Sequence, residues 1–278
     1  NIFKNNWVNS DYAVITTGET FPDALSAAPL AKKYNAPIIL TKPDSLSTEV
    51  INQLKKTGVT KAFLIGAEWA VSKNIENQLK NMNITPTRIY GPDRYSTNLA
   101  IAKYLSPNGE VAIATGEDFP DALSIASIAA SSNMPILLVD KNTISDDVTK
   151  YIKDNKIKNA YIIGGTGVIS ANSEKYLSQF TTVKRLSGSN RYETNVNVLT
   201  YFQDRLRLGE TYFATGLNFP DALSGSVLAA AGSHPIILAD QNPDISTIRF
   251  ILANPGLGQC IFGGDGVLSD SVIKNLIN

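Results

Sequence analysis

"ATGEDFPDALS", residues 114–124, recurs as "TTGETFPDALS" at 16–26 and as "ATGLNFPDALS" at 214–224. Its aspartates, Asp23, Asp121 and Asp221, stand 98 and then 100 residues apart, so the repeated unit has the length of a domain. A chain of 278 residues would be given two domains by length alone, whereas the period gives three. The units are read as 1–86, 87–183 and 184–278.

Inside each unit the order is the same: an apolar run, a glycine turn, a proline-led helix, a second run, a polar helix, a third run and another glycine turn. In the middle unit the runs are "VAIAT" (111–115), "PILLV" (135–139) and "AYIIG" (160–164). They show no apolar/polar alternation, which marks strands buried on both faces, as in parallel sheets. Between them "PDALSIASIAAS" (120–131) is small and apolar enough to pack closely on a sheet, and "ISDDVTKYIKDN" (144–155) is amphipathic with a solvated face. The βαβα alternation predicts an α/β fold of three tandem Rossmann-like repeats with parallel sheets.

A fourth run leads from unit to unit through "TPTRIYGPDRYST" (85–97) and "TTVKRLSGSNRYET" (181–194). Neither junction contains a flexible Gly/Ser linker, which predicts one body rather than beads on a string. Asn1 aligns with Leu99 and Asn278 with Asn81, so the first unit is expected to lack its Arg-Tyr segment and the last its exit strand. The absence of an initial Met and of a signal-like apolar core reads as a mature chain or an excised fragment.

Composition narrows the partners. The chain is 43% hydrophobic and 18% charged, with a net charge of +0, so no overall field draws nucleic acid or an anionic membrane and recognition must come from local clusters. One Cys excludes an internal disulfide, and no stretch has the roughly 18 unbroken apolar residues of a membrane span, so no membrane insertion is expected.

Several residues invite both a structural and a functional reading. Pro22, Pro120 and Pro220 suit the first helical position, and Asp23, Asp121 and Asp221 beside them complement the positive helix end. The same turns, with Thr17, Thr115 and Thr215, sit at the carboxyl end of the first strand, where open parallel sheets bind ligands. The later turns "IGAEWAVS" (65–72), "IGGTGVIS" (163–170) and "FGGDGVLS" (262–269) could offer backbone N–H groups to an anion, but lack nucleotide-loop spacing. Trp69, where the other units have glycine, is expected to fill a local hollow, with sugar stacking as the alternative. His234 and Cys260 have no counterpart in the other units and are read as packing residues.

The junctions carry the sharper question. Asp93 and Asn190 read as N-caps, with Glu193 completing a capping box in the second. Arg94 and Arg191 follow, in the first turn, where the helix field disfavours a cation. Either an ion pair with a neighbouring unit, for instance with the helix-start aspartates, or an acidic group on a ligand must compensate.

The "RYST" and "RYET" junctions, the three "FPDALS" blocks and the "PIIL", "PILL" and "PIIL" strands resemble the type 2 cell-wall-binding repeat family over nearly the whole chain. The resemblance implies three Rossmann-like repeats packed as a triangle that hold a secreted protein of clostridial type to an anionic wall polysaccharide, with surface-layer proteins as a further partner class. It also implies that the family's Ile-Leu-Leu motif falls on Ile38, Ile39 and Leu40, on Ile136, Leu137 and Leu138, and on Ile236, Ile237 and Leu238. Two departures stand out: only two Arg-Tyr segments are present, and "AEWA" replaces the glycine-rich turn in the first unit. Three linked units multiply weak contacts to a repeating polymer through effective concentration.

The candidate ligand-binding set is therefore Arg94, Arg191, Asp93, Asn190, Thr17, Thr115, Thr215, Asp23, Asp121 and Asp221, with no catalytic residue, metal or cofactor assigned. Two competing readings remain: a surface-layer assembly module that binds no polymer, and an enzyme acting on nucleotide sugars. The second lacks an oriented nucleophile–base pair.

Overall fold

Each apolar run becomes a strand of a parallel sheet. The structure is a computed structural model that describes residues 7–255, 258–264, 266–269, 271, 272 and 274. The first unit runs β1 (Tyr12–Thr17), helix Ala27–Lys33, β2 (Ile38–Thr41), helix Thr48–Thr57, β3 (Lys61–Ile65), helix Lys73–Asn81 and β4 (Thr85–Ile89). The second repeats this as helix Arg94–Ala102, β5 (Glu110–Thr115), helix Pro120–Ser131, β6 (Ile136–Val139), helix Asp146–Asp154, β7 (Asn159–Ile163), helix Ala171–Leu177 and β8 (Thr182–Leu186). The third runs helix Arg191–Tyr201, a 3₁₀ turn Gln203–Arg205, β9 (Thr211–Thr215), helix Pro220–Ala231, β10 (Ile236–Ala239), helix Ile245–Ala253 and β11 (Gln259–Ile261).

Strand order is β2-β1-β3-β4, β6-β5-β7-β8 and, among the described residues, β10-β9-β11, all parallel. Register repeats with the sequence: Val14 pairs with Ile38, Ala112 with Ile136 and Tyr212 with Ile236. β4 and β8 close the first two sheets, which run on to Ile89 and Leu186, so limits drawn at 86/87 and 183/184 fall inside strands.

Helices Ala27–Lys33, Pro120–Ser131 and Pro220–Ala231 pack on one another as well as on their sheets, and so bring the three units round a common centre. Their apolar character all round follows from this double burial: in helix Pro120–Ser131 every residue from Ala122 to Ala130 is buried. Phe21, Phe119 and Phe219 form a triangle at that centre, with ring centroids 5.6, 6.1 and 6.1 Å apart. One core runs continuously from Trp7 to Leu268 through all three units. Polar ties cross between units too: Lys33 donates to the Tyr104 carbonyl at 2.6 Å, and Arg205 grips both Glu110 oxygens at 2.7 and 2.9 Å.

The first unit departs from expectation at Pro22. Its helix begins at Ala27, after hydrogen-bonded turns over 22–26, whereas Pro120 and Pro220 do open theirs. Pro29 supplies the reason: it has no N–H for the Leu25 carbonyl, and its ring crowds that carbonyl, so a regular helix cannot run through from Pro22.

Because one core spans the units, thermal unfolding should show one transition, and limited proteolysis should spare both junctions. Phe219→Ala should lower the stability of the whole chain by about 3 kcal/mol without splitting that transition. Separate melting of one unit in calorimetry would contradict this architecture.

Candidate functional site

The glycine turn after each first strand is built by its threonine. Thr17, Thr115 and Thr215 are buried, and their hydroxyls accept from the backbone N–H groups of Glu19, Glu117 and Leu217, each at 3.1 Å. These hydroxyls thus face back into the turn, which then sends each phenylalanine to the centre and each aspartate inward.

The aspartates meet the glycines that follow the third strands. Gly66, Gly164 and Gly263 have φ of 108°, 111° and 116°, the region that favours glycine. A Cβ on Gly66 would stand 2.9 Å from the Asp23 carboxylate, one on Gly263 would stand 2.8 Å from that of Asp221, and one on Gly164 would strike Asp121. The two repeated motifs are therefore halves of one contact, and the acid beside each glycine turn is the protein's own. Burial raises all three carboxyl pKa values. Asp121 reaches about 6 through burial and the nearby charge of Asp118, with Arg191 opposing; Asp23 is raised less, because Arg94 and a Thr97 hydrogen bond oppose its burial.

The Arg-Tyr helices start as their sequences predict. Asp93 accepts from the Ser96 N–H at 2.7 Å, and Asn190 from Tyr192 and Glu193, both at 2.9 Å. Glu193, however, does not close a capping box on Asn190: it accepts from the backbone N–H and hydroxyl of Ser189, one residue earlier, while the Asn190 amide donates to Asp244 at 2.9 Å. Arg94 donates to the Gly116 carbonyl at 2.5 Å and Arg191 to that of Gly216 at 2.6 Å. Tyr95 and Tyr192 lie over the same glycines, where a Cβ would come within 2.6 and 2.7 Å of their rings, and donate to Glu117 and Asp240.

Arg94 faces Asp23 of the preceding unit, and Arg191 faces Asp118 and Asp121 of its own preceding unit, with Asp118 at 4.0 Å. Both arginine side chains stay about a third exposed, at 35% and 32%. Beside Arg191 a cavity of about 400 Å³ opens between the second and third units, lined by Asp118, Asp121, Gly165, Thr166 and Asn190. It offers a fork of N–H donors, carboxylates and hydroxyls together, a set that suits a polyhydroxylated ligand carrying an acidic group.

Four structural residues escaped the sequence reading. Asn98 donates to the Ile136 carbonyl at 2.6 Å and accepts from Leu138 at 2.8 Å; Asn195 does the same to Ile236 and Leu238 at 3.1 and 3.0 Å. Arg88 and Arg185 donate to the Gly66 and Gly164 carbonyls at 2.9 and 2.7 Å. A signal existed: an asparagine repeated in mid-helix, where its helix propensity is poor, needs a partner.

Trp69 does not fill a hollow. It is 70% exposed, because Ala70 and Val71, buried at 1% and 0%, occupy the space beneath the turn. His234 packs near Tyr212 and contacts the Arg207 carbonyl and Glu210, and burial pushes up the Cys260 thiol pKa. Among the described residues no cluster of His, Cys, Asp and Glu is placed to hold a metal ion, and no helix is long and apolar enough to cross a membrane.

The profile of cell wall binding domain 2 (CWB2) matches residues 1–76, 88–174 and 185–273. The chain belongs to the CWB2 family. It is 34% identical, over its whole length, to 55% of the N-acetylmuramoyl-L-alanine amidase LytC of Bacillus subtilis (strain 168), and 33% identical over 86% of its length to 32% of the amidase enhancer of the same strain. It thus spans about half the length, or less, of these curated relatives. Cwp6 from Clostridium difficile superposes with a TM-score of 0.93 at 28% identity, over 99% of this chain and 45% of that one; Cwp8 does so with 0.89 at 27%, over 99% and 48%. The three matched stretches are the three CWB2 repeats seen as three sheets.

Asp121 makes the fold sensitive to pH. A carboxyl whose pKa rises on folding favours the folded state at low pH, so its contribution is lost as pH rises from about 4 through about 6. Asp121→Asn should therefore raise Tm above pH 7, by an amount equivalent to at most about 3 kcal/mol, and the gain should vanish near pH 4. Melting curves across that range check it.

Proposed function

We propose that the three repeats, 1–86, 87–183 and 184–278, anchor a secreted protein non-covalently to an anionic cell-wall polysaccharide, and that Arg94 and Arg191 grip its acidic groups. What supports the reading most is the part-exposed side chain of Arg191 lining an inter-unit cavity in a CWB2 chain. A cation in the first turn of its own helix is disfavoured there, which an external anion beside Arg191 would relieve. Asp93 and Asn190 contribute by fixing the helix start, and Thr17, Thr115 and Thr215 by holding the turns on which the arginines rest. Trp69 adds a free aromatic face for a sugar ring.

In this reading the chain is the binding part of a longer protein and carries no catalytic chemistry of its own. LytC is named as an amidase, and this chain corresponds to 55% of it. The assembly-module alternative keeps one observation in its favour: both arginines also tie a glycine carbonyl to a neighbouring unit's acid.

The two readings separate in one experiment. Arg94→Gln/Arg191→Gln should lower co-sedimentation with protein-free wall polysaccharide by about tenfold or more, and wild-type retention should weaken with salt. Trp69→Ala should weaken it by a few-fold. A folded double variant that melts earlier yet binds normally would leave the arginines as joints between repeats and remove them from the polymer site.

A further inference from the structure

Two aromatic side chains of the first unit have nothing to pack against. Trp69 is 70% exposed and Tyr90 58%. Among the described residues neither the Trp69 indole nor the Tyr90 phenol has a hydrogen-bond partner, and neither ring meets another ring or a cation. The remaining tyrosines are all engaged, each with another ring or through its hydroxyl, and Trp7 donates to the Asn35 carbonyl. One exposed ring is ordinary on a surface, but the two unengaged rings of this chain share a single turn.

The backbone puts them there. The Gly66 N–H donates to the Ile89 carbonyl at 2.9 Å and Arg88 donates to the Gly66 carbonyl, so the peptide that joins Ile89 to Tyr90 is bonded to the start of the turn that carries Trp69. The Ala70 N–H then closes that turn on the Ala67 carbonyl at 2.9 Å. The second unit builds the same turn, with Gly164 on the Leu186 carbonyl and Arg185 on the Gly164 carbonyl, yet has Gly167 in place of Trp69 and Ser187 in place of Tyr90. Neither ring is therefore needed to fold the turn.

Charge selects the kind of partner. Glu68, next to Trp69, is exposed and has no ion pair among the described residues. A carboxylate there repels an acidic group and accepts from hydroxyls. Flat rings beside such an acceptor suit a neutral sugar, whose C–H face lies on the aromatic face while its hydroxyls reach the carboxylate. The cavity at Arg191 has the opposite preference, because its fork of donors favours an acidic group.

We propose that Trp69, Tyr90 and Glu68 form a subsite for neutral sugar rings of the wall polymer, separate from the acidic-group site at Arg191. The proposal rests on the polymer reading and adds a division of labour to it. The arginines supply binding that salt screens, and the rings of the first unit supply binding that salt leaves in place. Carried on one body, the two kinds of contact reinforce each other through effective concentration.

Trp7 and Trp69 are the chain's two tryptophans and Trp7 is buried, so acrylamide quenching of tryptophan fluorescence reports chiefly on Trp69. Protein-free wall polysaccharide should shield that fluorescence from acrylamide. Trp69→Gly/Tyr90→Ser should melt within about 2 °C of the unaltered chain, since neither side chain has a partner to lose. It should weaken polysaccharide binding by about tenfold, and by the same factor at low salt and at about 0.5 M. Glu68→Ala should weaken it by a few-fold, whereas the loss in Arg94→Gln/Arg191→Gln should shrink as salt rises. Bound polysaccharide that leaves Trp69 open to acrylamide, or normal affinity in the folded Trp69→Gly/Tyr90→Ser chain, would overturn the subsite and leave the arginine grip standing. Binding lost in that variant but kept at low salt in Arg94→Gln/Arg191→Gln would overturn the arginine grip and keep the subsite. No binding of polysaccharide at any salt would overturn both. Shielding of Trp69 that grows with protein concentration in the absence of polysaccharide would overturn the subsite in favour of a contact between two copies. Should the ring variant fail to fold, quenching of the unaltered chain decides the matter.

Discussion

The close approach of three helices made largely of alanine and serine governs the rest of the molecule. Helices Ala27–Lys33, Pro120–Ser131 and Pro220–Ala231 each touch a sheet on one side and the other two helices on the other, so most of their residues are buried and apolar or small. Small residues shorten the distance between helix axes and so let three separate sheets share one apolar core. The phenylalanines cap that arrangement: each follows the glycine turn after its unit's first strand, so positioning the turns and closing the triangle are the same act.

That geometry carries the polar groups with it. An aspartate placed two residues after each phenylalanine is drawn inward, where burial works against its charge, and a glycine with positive φ is the only residue that leaves it room. For the aspartates of the first and second units an arginine from the start of the next unit's first helix supplies a compensating cation, and the arginine's own unfavourable place at a helix N-terminus is offset by the glycine carbonyl and the acid it faces. Neither group would be comfortable alone. The interfaces that hold the repeats together are consequently also where cations, carboxylates and open cavities coincide, and the packing and candidate binding roles fall on the same residues.

The repeats comment on one another in a way a single domain cannot. Where two units agree, as at Asn98 and Asn195 or Arg88 and Arg185, the structure shows the same backbone groups being held. Where they differ, the reason is local. Pro29 shortens the first unit's helix, and Trp69 projects into solvent because its neighbours Ala70 and Val71 already fill the floor of the turn. The packing beneath the turn, and not the size of the ring, decides where Trp69 goes.

Much of this was legible in the residues alone. The number of units, the parallel α/β class, the doubly buried strands and the N-caps at Asp93 and Asn190 follow from period, from unbroken apolar runs and from interactions spanning a few residues, all of which the order of side chains specifies locally. The pairing of Asp23 with Gly66 and the placement of Arg94 against Asp23 were decided only in three dimensions. The three "FPDALS" blocks are identical in sequence and so carry identical local preferences; what distinguishes Asp221 from Asp23 and Asp121 is which unit closes against it, and that depends on how the whole chain folds back on itself rather than on any stretch within it.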